Sequence, residues 1–127
     1  MDSGRLTLPD PLGTGRATLK GHRLRRNKDF RVVFHRGQSV ANRYFVLYVS
    51  KKENAVTRAG FSVSKKVGNA VVRNRIKRLL REVLRKQINQ FGTGYDLIVI
   101  ARKEAYGLTY VDVERQVQQL LRRSKLL

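Results

Sequence analysis

Cysteine is absent from the 127 residues, so disulfides, cysteine-held zinc and thiol nucleophiles are excluded together. Tryptophan is absent too, and proline occurs twice, at Pro9 and Pro11. No window approaches about eighteen consecutive apolar residues, which leaves no candidate membrane-spanning helix. The opening residues lack the basic-then-apolar order of a secretory signal, so a cytoplasmic protein with no membrane partner is expected. Acids are scarce: 9 Asp and Glu stand against 28 Lys and Arg, a net charge of +19.

That imbalance is self-repulsive in a small fold and is best relieved by a polyanion, which puts nucleic acid first among partners. A surface built only for solubility intersperses both signs and needs far less net charge. The length fits one domain, and 41% hydrophobic residues supply one modest core.

Residues 1–21 hold both prolines and four of the 10 glycines without apolar periodicity, and read as a disordered extension before a single nucleic-acid-binding domain at 22–127. A first helix is expected from Asn27 as N-cap, with Phe30, Val33 and Phe34 on one face and Gly37 as its stop. Residues 43–50 alternate as a strand, with Tyr44, Val46 and Tyr48 on one side and Phe45, Leu47 and Val49 on the other. Residues 59–64 form a second strand, antiparallel to the first if the short link is a hairpin. A long helix runs from about Asn69 to Gln90, and 95–101 is apolar enough to be a central strand buried on both faces. Thr109 and Asp112 suit the start of a last helix, whose buried stripe is Tyr110, Val113, Val117, Leu120 and Leu121. The sum is an α+β sandwich, a small sheet covered by helices.

Between Lys65 and Lys86 nine basic side chains meet one acid, Glu82. Val72, Ile76, Leu79, Leu80 and Val83 gather on one helical arc, and Arg73, Lys77, Arg81 and Arg85 form an i, i+4 row beside it, with Asn74 and Arg78 on the same outward side. Each like-charge pair at this spacing costs an isolated helix roughly 0.2–0.5 kcal/mol. Phosphates passing along the row offset that repulsion through counterion release, although charge alone does not separate RNA from DNA. Phe30, Phe34, Tyr44 and Tyr48 stand among cations and could stack unpaired bases, but at such spacings a core role is the commoner one. His22 and His35 have no evident carboxylate partner. Asp29, Asp96, Asp112 and Glu104 are dispersed and read as capping or surface groups, and Ser62 and Ser64 lack a base. No catalytic group is expected on this chain.

The run Gly60-Phe61-Ser62-Val63-Ser64-Lys65-Lys66-Val67-Gly68-Asn69-Ala70-Val71-Val72-Arg73-Asn74-Arg75-Ile76-Lys77-Arg78-Leu79-Leu80-Arg81-Glu82 resembles the RNR signature of the bacterial ribonuclease P protein family. Leu24 to Phe30, Val33-Phe34, Gly37, Asn42-Arg43 and Leu97 to Arg102 extend the likeness over about 22–124. The resemblance implies a small mixed sheet in a ribosomal-S5-domain-2-like sandwich with a left-handed βαβ crossover, where general rules favour the right-handed one. It also implies an accessory subunit, one protein per RNA, of an assembly whose catalytic RNA removes the 5′ leader of precursor tRNA. Magnesium would be held mainly by RNA, and none by the protein alone. Lys65, Lys66, Asn69, Arg73, Asn74, Arg75, Lys77, Arg78 and Arg81 would meet the catalytic RNA. Phe30, Phe34 and Tyr48, with Arg43 alongside, would line the leader cleft.

Overall fold

A computed structural model describes residues 23–24, 26–52, 56–90 and 94–126, so the expected extension at 1–21 lies outside the described residues. The first helix, α1, spans Asn27–Arg36 and buries Val33. Its N-cap is Arg26, which makes no side-chain cap bond, rather than Asn27; Asp29 and Phe30 both donate backbone N–H groups to the Arg26 carbonyl. Gly37 ends the helix by donating its N–H to Val33 O at 2.7 Å. A Cβ there would lie 2.5 Å from that oxygen and 2.9 Å from Val49 O, so the helix end and the sheet can approach this closely only through glycine.

Four strands follow the order β1 (Gln38–Ala41), β2 (Phe45–Lys51), β4 (Tyr95–Ala101), β3 (Arg58–Val63) across the sheet. The polar strand β1 carries too weak an alternation to be read from sequence; it forms because β2 offers it an antiparallel ladder. The intervening turn is tied by Asn42, whose Oδ1 accepts the N–H groups of Tyr44 and Phe45 at 3.0 and 2.9 Å. The expected β2–β3 hairpin does not form. β4, the most apolar segment, lies between them, antiparallel to β2 and parallel to β3. Central placement buries both faces of Leu97, Ile98 and Val99, which a terminal place in the sheet would leave half wet.

The crossover from β3 to β4 is the helix α2 (Ala70–Gln87), capped by Asn69 Oδ1 accepting from Val72 N–H at 3.0 Å and followed by a 3-10 turn at Ile88–Gln90. The last helix, α3 (Tyr110–Arg123), begins with the expected capping box of Thr109 and Asp112. Ile76, Leu80 and Leu84 of α2 and Val117, Leu120 and Leu121 of α3 close over Phe45, Leu47, Leu97 and Val99 as one dry core. α1 lies over the opposite face, where Val33, Leu24 and Ile98 make a smaller cluster edged by Phe30, Tyr48 and Ile100. Tyr44 precedes β2 in a bend and packs with the main core, so it does not share a face with Tyr48 as strict alternation predicts.

Candidate nucleic-acid interface

Helical geometry sorts the cations of α2 into two flanks. Asn74 and Arg78 are exposed, while Arg73, Lys77 and Arg81 are half-buried where the helix meets the edge strand β3. Arg73 Nε donates to Gly68 O at 3.2 Å, steadying the turn that starts the helix. Arg75 points elsewhere: its NH1 donates to Leu108 O at 3.1 Å and braces the approach to α3. Lys65 and Lys66 are exposed in the turn after β3, anchored by buried Val67. The Asn69 oxygen is engaged in the helix cap. At the end of the row, Arg85 pairs with Glu82 at 3.0 Å, so its charge is partly neutralised within the helix.

On the other sheet face α1 brings three of the expected residues together. The Phe34 ring stands edge-on to Tyr48 with centroids 4.9 Å apart, and Phe30 lies edge-on to Phe34 at 6.2 Å. Phe34 is 40% exposed, whereas Val33, one residue earlier, is completely buried. The T-shaped contacts cover only part of each ring, and Phe30 and Tyr48 also remain partly exposed. Val46, Ile100 and Ser62 beside them are half-buried, which makes an open, apolar sheet floor next to the rings. Phe30 crosses β3 at Gly60, where a Cβ would come within 2.6 Å of its ring. A cavity of about 210 Å³ joins Phe30 and Gly60 to Lys77 and Arg81, linking the aromatic cleft to the cationic row across the sheet edge. Arg43 is not part of this cluster. It sits in the β1–β2 turn with its guanidinium 5.8 Å from the Tyr44 ring centre, five residues from Tyr48, or roughly 16 Å along an extended chain.

An ion triad that sequence reasoning missed ties α1 to the sheet beside the apolar packing of Val33. Arg58 donates through Nε and NH2 to the two Asp96 oxygens at 3.0 and 2.8 Å, and its NH1 stands 3.5 Å from Asp29 of α1. Asp96, expected at the surface, is 5% exposed because β4 is central. The hydrogen bond from Arg58 to Asp96 raises the guanidinium above the ordinary arginine range, against the opposing effect of burial. No sequence spacing could have revealed the pairing, since the partners lie on three separate elements.

Among the described residues no three His, Cys, Asp or Glu side chains lie together in a way that could hold a metal ion, and the paired carboxylates of the triad are engaged by Arg58. No helix of the described residues is long and apolar enough to cross a membrane.

A family model described as ribonuclease P matches residues 19–125, a span that contains the whole sheet, the cationic helix and the aromatic cleft. The chain belongs to the ribonuclease P protein family. A curated ribonuclease P protein component from Brevibacillus brevis is 46% identical over 109 residues, covering 85% of this chain and 86% of that protein. The solved Staphylococcus aureus RNase P protein superposes with a TM-score of 0.77 at 40% identity, covering 83% of this chain and 96% of that one. The RNase P protein from Thermotoga maritima gives a TM-score of 0.72 at 34% identity, over 80% and 96% of the two chains. As a ribonuclease P protein the chain is a subunit of an endoribonuclease of tRNA 5′ processing and has an RNA subunit as its partner.

Proposed function

We propose that this chain supplies no catalytic group and works by holding two RNAs at once. The exposed side of α2, from Arg73 to Arg81, with Lys65 and Lys66 before it, docks on the catalytic RNA and screens phosphate repulsion where they meet. The cleft of Phe30, Phe34 and Tyr48 receives the single-stranded 5′ leader of precursor tRNA, its bases stacking on the free ring surface. One observation carries the reading: Phe34 keeps 40% of its surface exposed while held 4.9 Å from Tyr48 over an open sheet floor. Asn69 and Arg75 contribute by shape, the first by capping α2 and the second by bracing it to the Leu108 carbonyl. Arg43 meets the RNA from the end of the sheet. Magnesium is held by RNA phosphates, one protein serves one RNA, and the assembly works in the cytoplasm, as a single domain from 22 onward.

The test is cleavage of precursor tRNA at low magnesium by a bacterial ribonuclease P RNA, with and without the protein, beside a protein-only control. Stimulation that needs both components, together with tighter binding of precursor than of mature tRNA, is the expected result. Cleavage by the protein alone, or equal affinity for the two tRNAs, would overturn it.

A further inference from the structure

A second concave surface lies beyond the aromatic cleft, around the edge strand β1. It is a groove of about 600 Å³ lined by Arg36 at the end of α1, Ser39, Ser50, Lys51, and Arg123 and Lys125 at the end of α3, among others. Four of its lining residues are cations and none is an acid. Two carboxylates of the neighbouring hollow, Asp29 and Asp96, are engaged by Arg58. Arg123 is fixed in place, its NH1 donating to Ala41 O at 2.7 Å.

The backbone at Lys125 sharpens the case. α3 ends in a turn where Lys125 N–H reaches Arg122 O at 3.0 Å and Leu126 N–H reaches Leu121 O at 2.9 Å. That closure places its penultimate residue in the left-handed region, a position glycine fills without strain. Here Lys125 fills it at φ 66, the one positive-φ residue other than glycine among those described. A strained lysine where glycine would fold better is explained if its charge is used.

The groove adjoins the cleft across β1 and β2. Ser39 pairs directly with Tyr48 across the β1–β2 ladder, and Ser50 lies two residues beyond Tyr48 on the same face. Arg36, two residues after Phe34, projects from the other flank of α1, toward Ser50 and Lys51. We propose that the phosphodiester backbone of the precursor's 5′ leader, after stacking on Phe34 and Tyr48, continues into this groove and is gripped there by Arg36, Lys51, Arg123 and Lys125. This rests on the leader reading of the cleft and extends it to the distal part of the leader.

The measurement is the affinity of the reconstituted holoenzyme for precursor tRNAs that share one body and carry either a short leader ending at the cleft or a long unstructured one. Lys125→Gly should keep or raise the melting temperature, yet reduce the long-to-short affinity ratio by about two- to fivefold, the size of an exposed charge pair. Lys125→Arg should restore the ratio, and Lys51→Gln, at the exposed end of β2, should lower it similarly. An unchanged ratio in both Lys125→Gly and Lys51→Gln would overturn the proposal. Equal losses on both leaders would overturn it as well, because the groove would then be holding the catalytic RNA or the tRNA body. Phe34→Ala, measured on the same substrates, separates the two layers. If it weakens both leader lengths while the groove variants change nothing, the cleft stands and the groove falls; if it weakens neither, the leader reading falls and takes the groove with it.

Discussion

The two faces of the sheet are finished differently. Under α2 and α3 the residues Phe45, Leu47, Leu97 and Val99 are sealed by two helices into a core with almost no exposure. Under α1 a single ten-residue helix covers the same four strands, and Val46, Ile100 and Tyr48 are left half-buried. One helix stripe is too narrow to close a sheet face, so among the described residues part of this face stays open. The first face provides stability and displays α2's cations outward as a by-product of packing its apolar arc. The second gives up some burial and thereby leaves aromatic surface exposed, the surface on which the proposed leader contact depends.

The contrast is tested most forcefully on the sealed side. Leu80→Ala, at a completely buried site, should cost about 2–5 kcal/mol in chemical denaturation, with RNA affinity per folded molecule preserved. A small loss there would mean that the core is looser than its packing implies. Phe34→Ala on the open side should cost leader affinity about 1–3 kcal/mol, measured as precursor against mature tRNA. Stability should fall much less, because the ring is already half in water. Equal loss for both tRNAs would show a misfolded cleft rather than a missing stacking surface.

The cations of α2 allow a finer division. Arg78→Gln should flatten the dependence of log affinity on log salt by about 0.7–0.9 for each phosphate left without its cation. Arg75→Gln, which removes a donor to Leu108 O, should instead lower the denaturation midpoint and leave the slope nearly intact. If both variants change the slope alike, the two flanks of the helix are not functionally distinct. The smallest effect concerns α3's start. The Thr109 backbone N–H donates to Asp112 and lowers its carboxyl below 3.8. A depressed folded value means that the contribution is complete above 3.8 and is lost as pH falls through the lower folded value. Acid titration of Asp112→Asn should therefore lack a small acid-side loss of stability that the parent shows.

What is legible in the sequence is local. The apolar arc of α2, the Thr109–Asp112 capping box and the apolar run of β4 each declare themselves within a few residues, because helix and strand periodicities act over that range. The resemblance carried by Gly60 to Glu82 adds the family, which the matched span at 19–125 bears out. Tyr44 departs from its expected face because alternation holds only inside a strand, and β2 begins at Phe45. β1 escapes a reading from sequence because Gln38-Ser39-Val40-Ala41 has no pattern of its own and borrows its structure from β2.

By itself, then, the sequence determined the three helices and three of the four strands, where the positive charge is dense and which aromatic residues fall near it. Only the tertiary structure decided that β4 separates β2 from β3, that Asp96 is buried against Arg58, and that Phe34 meets Tyr48 while Arg43 stands apart. The physical reason is range. Periodicity and capping are energies between near neighbours in the chain, whereas strand order, ion triads and grooves depend on the meeting of elements whose sequence separation carries no signal.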